Sequence, residues 1–481
     1  MNLAIDQVRR EASGMLDSER RTELGQYMTP SSVAIFMSSL FTLKRQVRLL
    51  DAGAGVGSLT SAFLDKALRE GASVDVDTWE IEAMLSRYLE NVLSHYEQLG
   101  RGKITAKIHA TDFIEDASIA IRLGNGNRYT HAILNPPYKK INSNSKHRYL
   151  LRKVGIETVN LYTAFVALSV LLLEEYGELV AIIPRSFCNG TYYRPFRERI
   201  LQKCGIRQIH LFESRIKAFH EDDVLQENVI IYLIKGEHPN RVIVSTSHDS
   251  SFNDYQQAEF DVDTIVKPDD EELFIHIPTT AEHTLTPKLC THTLRDIGLS
   301  VSTGPVVDFR IKDYWSDKLS NDTAPLLYPH HFTKGYLTWP MAHKKPNALQ
   351  ITPVVEKMLF PSGHYVLVKR FSSKEERHRI VAYHLSPEVL DARHIGFENH
   401  LNVFHIEKHG IDEDIARGLV MFLNSTVLDV HFRVFSGHTQ VNATDLRNIR
   451  YPSQEQLKKL GQSSYRHVND QASIDRLIEE L

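Results

Sequence analysis

Along the first half of the chain, short apolar runs alternate with stretches in which apolar residues recur every three or four positions. The runs "VRLLDAG" (47–53), "VDVDTWE" (74–80), "ITAKIHA" (104–110), "THAILN" (130–135) and "ELVAIIP" (178–184) predict strands. Amphipathic stretches at 57–70, 82–99 and 159–176 predict helices between them. Such alternation predicts an α/β fold, a doubly wound and mostly parallel sheet with helices on both faces. Two more runs, "IRQIHLF" (206–212) and "NVIIYLIKG" (228–236), have no helical pattern between them. They predict a hairpin at the sheet's edge and a total of seven strands.

From about residue 240 the rhythm is lost. Strand-like pieces such as "RVIVSTS", "ELFIHIP", "HYVLVKRF" and "RIVAYHL" are mixed with loops, which predicts a second, α+β domain. At 481 residues the chain exceeds what one core usually covers, so two domains are expected, 1–245 and 246–481. The net charge of −4 means that any nucleic-acid role must rest on local basic surface. Cys188, Cys204 and Cys290 form no CxxC and no zinc spacing, which argues against a disulfide framework and for a reducing compartment. The N-terminus lacks the apolar run of a signal peptide, and "LYTAFVALSVLLLEEYG" is too short to span a bilayer. A cytoplasmic location without membrane attachment is expected.

Candidate chemistry begins at "LLDAGAGVGSLT" (49–60), a strand, a glycine turn and a helix start. Glycines there let the backbone approach a ligand. A dinucleotide site needs G-x-G-x-x-G, whereas Gly53, Gly55 and Gly57 give G-x-G-x-G. Asp51 would repel a pyrophosphate and suits a cationic group. Glu80, ending the next strand, could bridge a ribose, and Asp112 with Phe113 could bind and stack on an adenine. A cationic amino-acid head, a ribose and an adenine describe S-adenosyl-L-methionine; the bland alternative is a βα turn with capping acids.

The fourth predicted strand ends in "NPPY" (135–138), where prolines forbid further ladder bonding. Ligands of doubly wound sheets bind outside the strands' carboxyl ends. There the Asn135 amide oxygen and the Pro136 carbonyl could accept the two hydrogens of an adenine amine and draw its nitrogen toward a tetrahedral shape. Pro136 and Pro137 would fix the carbonyl's direction, and Tyr138 offers a ring for the base. Such catalysis is mostly positioning and electrostatic stabilisation.

In their order and spacing, "GQYMTP" (25–30), "DAGAGVG" (51–57), "WEIE" (79–82), "TDF" (111–113), "NPPY" (135–138), "NLYTAF" (160–165) and "GELVAIIP" (177–184) resemble the gamma-type, TaqI-like N6-adenine DNA methyltransferases of bacterial restriction–modification systems. The resemblance covers roughly residues 20–240. It implies an S-adenosylmethionine-dependent catalytic domain followed by a DNA target-recognition domain. It further implies that Thr29 and Pro30 line the methionine end of the cofactor and that Asp112 meets its adenine. Tyr27-Met28 departs from the family, in which many members carry an acid there.

Methylating a base in duplex DNA requires that it be flipped out. The segment "KAFHEDDVLQENVIIYLI" (217–234) resembles the family's base-stacking segment, with Phe219 as the matching residue. "KKINSNSKHRYLLRK" (139–153), beginning with Lys139 and Lys140, could grip phosphates. The stretches 302–310, 369–385 and 435–452 resemble pieces of the target-recognition domain, with Arg370, Arg377 and Arg379 as candidate DNA contacts. The histidines show no metal-ligand spacing, and no second constellation suits DNA cleavage, so a separate cognate endonuclease is expected, with the enzyme a monomer on double-stranded DNA. A modification subunit needing a specificity subunit, and methylation of N4-cytosine, RNA or protein glutamine, remain alternatives.

Overall fold

The structure, a computed structural model, describes residues 2–15, 28–124, 129–213, 227–279, 290–317, 320–333, 336–372, 376–436, 440–463 and 470–481. It divides into two compact units, Met1–Thr280 and Ala281–Leu481.

In the first unit, β1 (Gln46–Ala52), β2 (Ser73–Trp79), β3 (Ile104–His109), β4 (Tyr129–Leu134), β5 (Leu173–Pro184), β6 (Cys204–Phe212), β7 (Asn228–Lys235), β8 (Arg241–Ser247) and β9 (Gln256–Asp261) form one sheet. Their order is β3-β2-β1-β4-β5-β7-β6-β8-β9. The helices are α1 (Asn2–Met15), α2 (Ser31–Ser39), α3 (Ser58–Glu70), α4 (Ala83–Gly100), α5 (Phe113–Leu123), α6 (Lys146–Lys153), α7 (Leu161–Leu172) and α8 (Arg194–Lys203). Alternate residues of the same strands serve two cores. Leu50, Ala132, Leu134, Leu179 and Ala181 pack with Ile114 of α5, Val166 of α7 and Ile200 of α8. Leu49, Ile133, Val180 and Ile182 pack instead with Met37 of α2, Phe63 of α3 and Leu89 of α4. Both faces are therefore covered, and β4 is buried along its whole length, as a central parallel strand must be.

The expected seven strands are present as β1 to β7, with β7 antiparallel to both β5 and β6. The described sheet has nine, however. β8 pairs in parallel with β6, and β9 runs antiparallel to β8. The run "RVIVSTS", grouped above with the second half, is this eighth strand. It satisfies backbone groups that an edge at β6 would leave unpaired. For the same reason the units divide at Thr280 and not at 245/246: Phe260, Ile265, Ile275 and Ile277 belong to the first unit's core.

The second unit has a four-stranded antiparallel sheet in the order Ser300–Thr303, Leu401–His405, Tyr365–Lys369, Ala382–Leu385. Next to it in the chain are the strands of a five-stranded sheet, Trp315–Ser316, Ala348–Gln350, Thr323–Leu327, His394–Phe397 and Leu359–Pro361. Helices Glu413–Leu423 and Gln454–Ser463 touch through Gly418 and Gly461, where a Cβ would fall 1.9 Å and 1.8 Å from a backbone oxygen of the other helix. Among the described residues no single helix is long and apolar enough to cross a membrane.

Candidate active site

Asp51, near the carboxyl end of β1, is fully buried. Its Oδ2 accepts the Thr60 hydroxyl at 2.6 Å, and its Oδ1 has no hydrogen-bond partner among the described residues. Burial pushes its carboxyl up to about 7; the charge of Glu80 adds to this and the Thr60 hydroxyl opposes it. A buried carboxylate with one free oxygen is the acceptor a cationic group requires.

The turn that follows carries Gly53, Gly55 and Gly57 at φ 79°, 58° and 88°, a region that disfavours side chains. The Gly53 and Ala54 amides donate to the Trp79 carbonyl, 2.8 and 3.0 Å. Glu80, also buried, accepts the Gly55 amide on Oε2 (2.9 Å) and the Glu82 amide on Oε1 (2.7 Å). The acid at the end of β2 therefore holds the shape of the glycine turn. A Cβ at Gly53 would lie 3.8 Å from Pro137 and Phe165 and 4.0 Å from the Asn135 carbonyl. The glycine turn and the N-P-P-Y turn are thus neighbours, although 82 positions separate Gly53 from Asn135.

Asn135, half-buried, donates from Nδ2 to the Thr29 hydroxyl at 2.9 Å. Its Oδ1 lies 3.1 Å from the Tyr138 hydroxyl, which is equally near the Ile182 carbonyl of β5. Thr29 is buried just ahead of α2, whose N-cap is Pro30. Pro136 is buried, Pro137 half-buried, and the Pro136 carbonyl accepts no hydrogen bond from the described residues. Tyr138 thus holds Asn135 as well as presenting a ring, which meets Tyr162 edge-on at 6.0 Å.

Asp112 caps α5, accepting the Glu115 amide at 3.0 Å. Its other oxygen pairs with His147 at 2.9 Å. Phe113 is 3% exposed, packed between Trp79 and Phe165, so little of its ring faces solvent. Asp112, Glu115 and His147 bring ligand atoms within 4.8 Å of one another. Glu115 is engaged by Lys146 and Asp112 by its cap and His147, so the group is satisfied internally by ion pairs.

The segment after the turn is pinned by its backbone: the Leu161 amide donates to the Lys139 carbonyl and the Ile141 amide to the Val159 carbonyl. Lys139 and Lys140 are exposed, and neither forms an ion pair with the described residues. Lys146 and His147 face acids, and Arg148 and Arg152 share Glu157, so much of the basic segment is already neutralised. Arg185, just beyond β5, forms a 2.7 Å pair with Glu227, both side chains at most 2% exposed. Phe219 lies outside the described residues. In the second unit Arg370 is half-buried and Arg377 exposed, but Arg379 is 1% exposed and bonds Ser372 and Ser436, an internal role.

Sequence reading missed Thr60, His147 as a partner of Asp112, and the Arg185–Glu227 pair. None carries a local signal, since each is defined by a residue elsewhere in the chain.

Residues 28–219 match the Eco57I restriction-modification methylase family. The chain is 50% identical over 477 residues to the type II methyltransferase M.BsuBI of Bacillus subtilis, covering 96% of this chain and 95% of that protein. It is 42% identical over 500 residues to the type II methyltransferase M.PstI of Providencia stuartii, covering 100% and 97%. Among solved structures, the ATP-dependent type ISP restriction-modification enzyme LlaBIII bound to DNA aligns with a TM-score of 0.51 at 11% identity, over 95% of this chain and 40% of that one. That last likeness concerns the fold alone.

Proposed function

Because the chain belongs to the type II DNA methyltransferases of restriction–modification systems, we propose that it methylates the N6 amino group of an adenine flipped out of duplex DNA, with S-adenosylmethionine as donor. The observation that carries this reading is the Asn135 amide, held between Thr29 and Tyr138 beside the glycine turn.

The free Oδ1 of Asp51 supports a contact with the donor's ammonium group. Glu80 would take the ribose, Thr29 and Pro30 the methionine end, and Asp112 with Phe113 the adenine. When bound, the donor supplies an electrophilic methyl group. The chain's own residues prepare the amine. An amide oxygen such as Asn135 Oδ1 can accept two hydrogen bonds, and the Pro136 carbonyl accepts none from the described residues. Together they would accept both amine hydrogens and aim the nitrogen's lone pair. The prolines keep that carbonyl from turning, and the proton leaves to water after transfer.

Phe219 would stack on the flipped base, with Lys139 and Lys140 on the target strand's phosphates. The second unit would read the DNA sequence, and a separate endonuclease would share the site. The enzyme would act as a monomer. Sequencing DNA from an expressing host for modified bases tests the reading. N6-methyladenine in one sequence context is expected. N4-methylcytosine instead would overturn the base assignment, and unmodified DNA the whole proposal.

A further inference from the structure

The three stretches singled out in the second half meet at one end of the antiparallel sheet in the second unit. The Val441 amide donates to the Arg370 carbonyl at 2.7 Å, and Phe371 forms a bridge with Gln440. A fourth stretch, without any signal in the sequence, closes the cluster. There the Asn399 amide donates to the Val306 carbonyl and the Arg370 amide to the His400 carbonyl, both at 2.9 Å. Gly304 permits this approach, since a Cβ there would come within 2.3 Å of the Glu398 carbonyl oxygen.

The side chains at this end are arranged unlike a passive surface. Phe371 is 40% exposed, and its ring centre lies 5.0 Å from that of His400. Nδ1 of His400 sits 2.6 and 2.8 Å from the two carboxylate oxygens of Glu398. The Glu398 side chain is 2% exposed, that of His400 49%. A carboxylate only accepts, so it fixes the proton on Nδ1 and leaves Nε2 for something outside. Beside them Arg370 Nη1 donates to the Asn399 carbonyl at 3.1 Å, while its buried Nε makes no hydrogen bond among the described residues.

An exposed ring forgoes the gain of burial, and a buried carboxylate is costly unless its partner is used. Ring, oriented imidazole and guanidinium side by side match nucleic acid: a flat or methyl surface for the ring, a base edge for Nε2, a phosphate or guanine for the arginine. We propose that Phe371 and His400 form a sequence-reading element that contacts base pairs of the DNA target, with Arg370 supporting it. This rests on the reading of the chain as a DNA methyltransferase.

The test uses full-length Phe371→Ala and His400→Ala, with Phe371→Tyr and His400→Gln as conservative partners. The probes are a duplex carrying the sequence found by modified-base sequencing and duplexes differing from it by single base pairs. Each alanine variant should raise KM for DNA about tenfold or more and lose discrimination at one or two base pairs. Saturated kcat, cofactor affinity and melting temperature should stay near wild type, and the conservative variants should recover part of the loss. Unchanged KM and discrimination in both alanine variants, with an active wild type, would overturn the inference alone. So would equal losses on every duplex together with a lowered melting temperature. An inactive wild type on every duplex would overturn the parent reading and this one with it.

Discussion

His147 Nε2 lies 2.9 Å from an Asp112 carboxylate oxygen, joining the helix that follows the N-P-P-Y turn to the acid that caps α5. The Asp112 hydrogen bond lifts His147 above its ordinary value against partial desolvation. Burial would raise the Asp112 carboxyl, but the His147 hydrogen bond and the Glu115 amide outweigh it and hold it below the ordinary range.

The pair should stabilise the fold only within a window. The histidine's contribution is full below its ordinary value of about 6.5 and is lost as pH rises through its raised value. That of the aspartate is full above about 4 and is lost as pH falls through its depressed value. His147→Ala should therefore lower the melting temperature most near pH 5–6 and little at pH 8.5. Both groups are partly exposed, so the loss should be about 1 kcal/mol or less. Melting curves across pH check this; a loss that does not vary with pH would show that the charges contribute nothing.

Asp51 predicts a proton linked to cofactor uptake. With its carboxyl pushed up to about 7, the ligand-free fold favours the neutral form and loses stability as pH rises through that value. A cation bound at Oδ1 favours the ionised form, so affinity should rise with pH through about 7, and binding at pH 6.5 should release a proton. Asp51→Asn should stabilise the ligand-free protein at pH 8, by up to about 4 kcal/mol. It should also weaken cofactor binding about tenfold or more and abolish proton release. Calorimetry in buffers of different ionisation enthalpy measures all three.

Asn135→Ala should lower kcat by on the order of a hundredfold or more while cofactor affinity is kept. Tyr138→Phe removes only the hydroxyl facing Asn135 Oδ1 and keeps the ring. A neutral hydrogen bond contributes roughly 0.5–1.5 kcal/mol, so a loss of about threefold to tenfold is expected. Single-turnover methyl transfer separates these steps from product release. A fully active Tyr138→Phe would leave the hydroxyl no part in positioning Asn135.

Glu227→Gln should be strongly destabilising, by about 3–5 kcal/mol, because it removes the charge of one member of a buried ion pair. The double change Arg185→Met with Glu227→Leu should recover much of that loss. Urea unfolding of the single and double variants decides it. An additive double variant would mean that the two side chains do not act as a pair.

How far the sequence reaches can be judged residue by residue. β1 to β5 and α3, α4 and α7 were legible because burial imposes a period on neighbouring residues, and the glycine turn because Gly53, Gly55 and Gly57 must adopt positive φ. Asp51, Glu80 and Asn135 could be placed at strand ends by the same local logic. Tertiary structure alone decided what those ends do to one another. Glu80 braces the Gly55 amide, Thr29 and Tyr138 fix the Asn135 amide, and His147 shares Asp112. It also decided that β8 and β9 extend the sheet and that Glu398 orients His400. Such contacts join distant residues through single hydrogen bonds or an unpaired strand edge. They leave no periodic mark on the chain, and only the folded backbone brings the partners within reach.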